Sequence, residues 1–337
     1  MQHSDRFYWD NHVYLPERPG SSAIDGLERH REAGFGAVML NVGDADAGLE
    51  FVIRMIAHVR SWIDRNHDRF LLIENVSDIG RARLDGKLAV GLNLEGLFAI
   101  GEQIEMLSLL RDLGLRWALF VYNRRNLMGC GVHDPVDDGL TQLGRKAVIE
   151  MDRLGIIKCL SHTGHRTVYD ILSHSTRPCM FSHSNSAALW PHPRNIPDAL
   201  IRACAQTGGV IGINGIASFL GDGPASAERM ADHIDHVAQV AGIEHVAIGT
   251  DYGYEAAGEA PSRYPGAPLL SDFWPSAQGY SVKHEPSSLG PEQIAKVFEN
   301  LLDRGYSAGD LDLVASGNML RVAEAVWGPG DTPNQLS

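Results

Sequence analysis

The sequence predicts an α/β protein built as a single (β/α)8 TIM-like barrel. Three observations predict it. Apolar strand-like runs alternate about eight times with amphipathic helical runs, without a break in composition along the 337 residues. No glycine-rich dinucleotide fingerprint follows an early strand, which disfavours a doubly wound open sheet. Two apolar runs, 156–160 and 179–181, each stop at Ser-His, the first at Ser161-His162 and the second at Ser182-His183, with a helical run over 166–173 between them. A right-handed crossover between parallel strands places both strand ends on one side of the sheet. The two imidazoles can then converge, and imidazole is the commonest metal ligand. The expected organisation is one catalytic barrel over 1–327 with a tail over 328–337.

In chain order, a first strand is expected over 7–14, broken by Pro16, Pro19 and Gly20. A helix over 24–33 ends at Gly34. The apolar stretch 36–42 reads as a buried strand. Residues 49–66 carry apolar side chains at helical spacing. A short strand over 70–73 and a helical turn or two over 76–84 follow. A strand over 87–94 runs into Glu95-Gly96. Next come a helix over 104–113, a strand over 117–122, a polar glycine-containing loop over 123–139 and a helix over 143–154. After the two Ser-His strands come a helix over 198–206, a strand over 209–213, a helix over 225–241 and a strand over 246–251 ending in Asp251. A Pro-, Gly- and Ser-rich loop over 252–287 precedes closing helices over 291–304 and 308–327.

Composition narrows the function classes. Hydrophobic content of 44% and charged content of 21% describe an ordinary globular protein. A net charge of −13 repels phosphates and disfavours nucleic acid as a partner. The four cysteines form no CxxC pair, and Cys159 and Cys179 sit inside apolar strands. A reducing compartment without a disulfide framework is expected. The first residues lack an apolar signal core, and no run approaches the roughly 18 apolar residues of a membrane span. The expected location is cytoplasmic, with no membrane partner.

In a barrel the C-terminal strand ends meet over one mouth. Those ends carry His12, Glu95, Tyr122, His162, His183 and Asp251. Three imidazoles and two carboxylates on independent strands suit zinc and its neighbours. Strict alternation puts Asp10, His12 and Tyr14 on one strand face. Asp10 is then either a further carboxylate near the metal or a buried partner that orients His12. Arg194-Asn195 lies in the proline-stiffened segment 190–198. Arg194 there is suited to clamp a carboxylate in bidentate fashion; the alternative is a surface arginine paired with Asp198.

These residues resemble the membrane (renal) dipeptidases, peptidase family M19, of the bacterial type. The resemblance is carried by Leu94-Glu95-Gly96, Tyr122-Asn123-Arg124-Arg125-Asn126, Asp138-Gly139-Leu140-Thr141, Ser161-His162-Thr163-Gly164, Ser182-His183-Ser184, Pro193-Arg194-Asn195 and Gly249-Thr250-Asp251-Tyr252, and it spans nearly the whole chain. It implies a zinc-dependent dipeptidase. Glu95 would bridge two metals, with His162 and His183 on one and His12 on the other beside Asp251. Arg194, with Asn195 and Tyr122, would hold the substrate. Asp251 would act as general acid/base, and Tyr122 would donate to the oxyanion.

The chain departs from the family twice. His-x-Asp becomes His12-Val13-Tyr14, and Tyr122 stands where the renal enzyme has a histidine. The first departure leaves one zinc well held and a second weak or absent. The expected reaction is hydrolysis of a dipeptide or dipeptide-like amide. The alternatives are a tailoring hydrolase for a cysteinyl-glycine or other conjugate, a metal-binding homologue with little peptidase activity, and a non-catalytic binding protein. A homodimer is a family-level expectation.

Overall fold

The computed structural model of the chain describes residues 6–16, 18–256, 270–276 and 287–328. Its strands are β1 (Tyr8–Tyr14), β2 (Phe35–Asp44), β3 (Phe70–Leu72), β4 (Leu88–Glu95), β5 (Leu115–Leu119), β6 (Ile157–Cys159), β7 (Cys179–Phe181), β8 (Val210–Ile213), β9 (Val246–Ile248) and β10 (Tyr252–Gly253). Eight of them form a closed parallel barrel in the order β1-β2-β4-β5-β6-β7-β8-β9, and Asp10 pairs with Ile248 to join the last to the first. The two others are extensions: β3 lies beside the start of β4, and β10 beside the end of β1. Parallel strands covered by helices are buried on both faces, so they read as continuous apolar runs. That is why β4, buried throughout its length, is visible in the sequence.

The helices turn one apolar face to this sheet. The helix Leu49–Arg65 buries Val52, Met55, Ile56, Val59, Trp62 and Ile63, the i, i+3, i+4, i+7 stripe of an amphipathic helix. The helix Gln142–Leu154 starts where the Thr141 hydroxyl accepts the Gly144 N–H at 3.0 Å and stops at Gly155, φ 68°. Among the described residues, no helix is long and apolar enough to cross a membrane.

The barrel interior is packed, and its lower end is sealed. Trp9, Met39, Trp117 and Met180 fill one buried cluster with Met319, Val322, Val326 and Trp327 of the helix Asn318–Trp327. Trp327 lies tilted against Trp9 with centroids 6.0 Å apart, and its indole N–H donates to Arg116 O at 3.2 Å. Trp9 and Arg116 lie at the beginnings of their strands. The last helix is therefore the floor of the barrel, opposite the mouth.

Several boundaries differ from the sequence expectation. The strand expected over 117–122 is Leu115–Leu119, so Tyr122 sits in the turn beyond it. The helix expected over 308–327 is Ala308–Asp312, a π turn over Leu313–Gly317, then Asn318–Trp327. At that junction the Asn318 amide donates to the Ile243 and Val246 carbonyls, both at 2.8 Å, which helps fix the offset of the last segment. The short helix Ala217–Leu220 was not anticipated. The expected loop over 252–287 begins with β10 and contains the helix Leu270–Phe273. Residues 257–269 and 277–286 of that loop, and the expected tail over 328–337 apart from Gly328, lie outside the described residues.

Two glycines near the mouth are required by close approach. A Cβ on Gly212 or on Gly249 would overlap the Ser182 carbonyl oxygen. Both positions lack a side chain so that the Ser182-His183 backbone can sit against them. Gly249→Ala should therefore lower the unfolding free energy by about 3 kcal/mol, the upper end of overpacking costs. A denaturant melt checks this, and an unchanged midpoint contradicts the close approach.

Candidate metal centre

At the end of β1 the chain leaves regular alternation. The Asp10 carboxylate accepts the His12 N–H at 3.1 Å, an i to i+2 bond that turns the backbone. The β1–β2 register shifts between Asp10 and Val13. Asp10 does not share a face with His12, contrary to the alternation read from sequence. It points to the helix Leu27–Glu32, where it lies 3.2 Å from His30 Nε2, and it accepts the Thr250 N–H at 2.9 Å and the Thr250 hydroxyl at 2.5 Å. His12 O in turn accepts the Asp251 N–H at 3.0 Å. Asp10 thus ties two strand ends, His12 and Thr250-Asp251, from behind.

The mouth is also where backbone strain collects. Among the described residues the non-glycine residues with positive φ are Ala45 (46°), Asn123 (57°), His162 (63°) and Asp251 (57°). Each follows a barrel strand. Left-handed backbone is uncommon for such residues and clusters at functional sites. Here it turns the chain sharply, so that His162 and Asp251 face inward.

The structure brings His12, Glu95, His162, His183 and Asp251 together. Glu95 Oε1 lies 3.4 Å from His162 Nε2 and 3.3 Å from His183 Nε2. Glu95 Oε2 lies 3.4 Å from His12 Nε2, which is also 3.4 Å from Asp251 Oδ1. One carboxylate oxygen faces each set. Ligand atoms of His12, Glu95 and His183 all lie within 4.8 Å of one another. Side chains behind them fix their orientation. His162 Nδ1 meets Asn123 Oδ1 at 2.7 Å and His183 Nδ1 meets Ser182 Oγ at 2.8 Å. Asn41 donates to Glu95 Oε2 at 3.3 Å and Asn214 to Asp251 Oδ2 at 2.9 Å.

The donor set fits a cation. Both ring nitrogens of His12 and Glu95 Oε1 are buried without a hydrogen-bond partner. His162 Nε2 and His183 Nε2 face each other at 2.8 Å. With Nδ1 of His162 donating to Asn123, its lone pair points at this gap. Arg194 reaches His162 Nε2 and Asn41 reaches Glu95 Oε2, but buried acceptors that converge with so few donors are costly, and a divalent metal is the group that such imidazoles and a carboxylate satisfy.

Titration agrees with that chemistry. Burial, then Arg194, pushes His162 down to about 3, and burial pushes His183 well below the usual range. Both are neutral, the ligand form. Burial works against a charged His12, but Glu95, Asp251 and Asp10 together raise it. Burial would raise Glu95, yet His12, His162 and His183 hold it well below the carboxylate range. Burial raises Asp251. Burial, then Asp44, Glu95 and Asp251, holds the Tyr122 phenol well above its usual value, so it remains a donor.

Around this centre, Tyr122 stacks on His162 with centroids 4.3 Å apart. Arg194 is buried and turned into the mouth, its Nη2 3.1 Å from His162 Nε2, while Asp198 pairs with His236 instead. The Asn195 amide is turned away from the centre: it donates to Trp190 O in its own loop and to Phe219 O of the helix Ala217–Leu220, each at 2.9 Å. Tyr14 is half-buried, its ring lying over Gly253 and 6.4 Å from that of His12. Sequence reasoning missed Asn41, Asp44, Asn214, Phe219 and Trp274. Asn214 was legible in principle, since it directly follows a strand end. Trp274, edge-on to Tyr122 at 5.8 Å and to His162 at 5.7 Å, comes from a distant segment and left no local signal.

Comparison with known proteins accords with this geometry. A family model described as membrane dipeptidase (peptidase family M19) matches residues 27–273. The chain is 27% identical over 344 residues to dipeptidase tcpJ of Claviceps purpurea (strain 20.1), covering 96% of this chain and 75% of that one. It superposes on an amidohydrolase from Pseudomonas aeruginosa with a TM-score of 0.84 and 26% identity, over 97% of this chain and 98% of that one. A metallopeptidase from Rhodobacter sphaeroides, solved with a phosphinate mimic of the dipeptide L-Ala-D-Ala, shares the fold with a TM-score of 0.76 and 22% identity, over 96% and 100% of the two chains.

If His162 and His183 are ligands, replacing both with Ala should strip the more tightly held metal. Elemental analysis of protein purified with added zinc measures this. Unchanged zinc in the double variant would remove these histidines from the ligand set.

Proposed function

Because the chain belongs to the membrane dipeptidase family, peptidase family M19, we propose that it is a zinc-dependent hydrolase of dipeptides or dipeptide-like amides. The observation that carries this reading is Glu95, which offers one oxygen to His162 and His183 and the other to His12. Glu95, His162 and His183 would hold one zinc, and His12 with Asp251 would offer a second position. Zinc, when bound, polarises a carbonyl and makes water acidic enough to react near neutral pH.

The chain's own residues supply the rest. Arg194 grips the substrate's terminal carboxylate, with its guanidinium also 5.5 Å from the Phe219 ring. Tyr122 keeps its proton and donates it in a hydrogen bond to the oxygen on which charge develops, a contact worth roughly 2.7–4 kcal/mol in comparable sites. Asp251, raised by burial and oriented by Asn214, takes the proton of the attacking water and passes it to the leaving amine. Trp274 and Phe219 wall the mouth with apolar surface and limit water.

Tyr14 bears on the metal count. A phenol replaces a carboxylate, so one negative charge and one oxygen ligand are missing, and Asp10 is committed to His30 and Thr250. The same replacement carries a second reading, a metal-holding homologue with little peptidase activity. Turnover of a small dipeptide panel with zinc, cobalt or manganese added separates the two.

Two outcomes are expected. A dipeptide should be cleaved at least tenfold faster than its C-terminal amide, from a charge-assisted bidentate contact of about 1.5–3 kcal/mol; equal kcat/KM for acid and amide would sink the Arg194 clamp. Tyr14→Asp should raise the metal content from near one towards two per chain and should raise dipeptide hydrolysis. Wild-type protein that already holds two tight metals would show that another residue supplies the missing ligand.

A further inference from the structure

A row of buried side chains runs through the two Ser-His strand ends. Cys159 Sγ lies 2.9 Å from Ser182 Oγ, and Ser182 Oγ lies 2.8 Å from His183 Nδ1. On the far side of the ring, His183 Nε2 faces His162 Nε2 at 2.8 Å, and His162 Nδ1 meets Asn123 Oδ1 at 2.7 Å. Cys159, Ser182 and His183 are fully buried, so bulk water does not compete for these bonds. The main chain of His183 is held separately. Its N–H donates to Ser161 Oγ at 3.2 Å, and Ser161 Oγ lies 3.1 Å from Ser184 Oγ. The contact between Cys159 and Ser182 therefore bears on the ring.

Hydroxyl, thiol and neutral imidazole each donate or accept, so this row has two directions. In one, the Cys159 thiol donates to Ser182, the Ser182 hydroxyl donates to His183 Nδ1, and His183 carries its proton on Nε2. In the other, His183 Nδ1–H donates to Ser182 Oγ, and the Ser182 hydroxyl donates to Cys159 Sγ. Only the second leaves the Nε2 lone pair for a cation. His162 has no such choice, because the Asn123 carbonyl oxygen only accepts and holds the proton on Nδ1. The Ser182 hydroxyl needs somewhere to send its own proton. Among the described residues the partners of Ser182 Oγ are His183 Nδ1 and Cys159 Sγ. The sulfur is already placed as an acceptor, since the Ser182 N–H donates to it at 3.3 Å. A thiol is also a weak donor, so little is lost when its S–H has no acceptor.

Resting on the zinc-centre reading above, we propose that Cys159 is a positioning residue for the metal centre. Its sulfur accepts the Ser182 hydroxyl proton, which makes Ser182 Oγ the acceptor for His183 Nδ1–H and turns the His183 Nε2 lone pair towards the cation. Cys159 acts through Ser182 and is not itself a ligand; the group of described side chains able to hold a metal is His12, Glu95 and His183. An alkyl side chain at this position would suit the apolar interior, where Cys159 packs with Trp117, Ile157 and Met180. It would leave His183 Nδ1 as the destination of the Ser182 proton, and so favour the tautomer that cannot bind.

The test uses the full-length protein and its Cys159→Ala, Cys159→Ser and Ser182→Ala variants, with Cys159→Val in place of Cys159→Ala if the latter does not fold. Zinc Kd is measured by competition with a chromophoric chelator, and the thermal midpoint of each protein is recorded beside it. The zinc that counts is the portion lost when His162 and His183 are both replaced with Ala. Cys159→Ala should raise its Kd about tenfold or more, the scale on which losing an outer partner weakens a metal site. Cys159→Ser restores an acceptor and should stay within about threefold of wild type. Because both residues act along one path, Ser182→Ala should weaken zinc as well, and adding Cys159→Ala to it should cost nothing further. Equal affinity in wild type and Cys159→Ala overturns the proposal and leaves the metal centre standing. Equal weakening in the Ala and Ser variants, or additive losses in the double variant, assigns Cys159 to packing and overturns it too. Wild-type protein that binds no zinc overturns the centre and the proposal together, whereas the expected affinities without dipeptide turnover keep the proposal and overturn the hydrolase reading.

Discussion

The buried carboxylate of Glu95 is the constraint on which the mouth depends. It is 4% exposed, and an ionised carboxylate at such a depth is tolerated only among compensating groups. Three imidazoles surround it, and His12, the one of the three that is raised rather than lowered, is the leading group holding it ionised against the opposing effect of burial. The ends of β1, β6 and β7 must therefore arrive at one point from three directions. Asn123 and Ser182 then fix how His162 and His183 face it, and Asn41 donates to the carboxylate itself. None of this depends on long-range steering. It follows from eight strands ending on one side and one acid placed at the end of the third in the barrel order.

The two ends of the barrel divide the work. The floor is apolar and closed by the helix Asn318–Trp327, whose Val322, Val326 and Trp327 complete the interior packing. The mouth is polar and strained, with four non-glycine residues in left-handed backbone among those described. Each such residue costs about 1–3 kcal/mol. The continuous apolar packing below offsets that cost, and the inward aim of His162 and Asp251 is what it secures.

Much of this architecture was legible because parallel strands buried on both faces announce themselves as uninterrupted apolar runs. The two runs that stop at His162 and His183 mark strand ends whose side chains converge on Glu95. The orientation of Asp10 was not legible, because alternation assumes a regular strand and the Asp10 side chain itself breaks that regularity. Asp44 was hidden by a boundary: the strand expected to end at Val42 continues two residues further. Tyr122 was assigned to a strand that stops at Leu119, since residues 120–122 are as apolar as the strand proper. Trp274 reaches the mouth through tertiary packing alone, and no window of sequence around it contains His162.

The tie between Asp10 and Thr250 has a consequence for how the chain is made. The two residues are 240 apart in sequence, and β1 gains its neighbour β9 only when that distance has been synthesised. At ~5–20 residues per second, the Asp10 carboxylate waits on the order of ten to fifty seconds for its partner. Throughout that interval β1 has an open edge, and the hydrogen-bonding groups there lack their strand partner. The floor helix, with Trp327 bonded to Arg116 across 211 residues, arrives later still. Nascent chains of this barrel are thus exposed at both the strand edge and the apolar floor until translation is nearly complete, and their yield in a cell is governed by what covers those surfaces meanwhile.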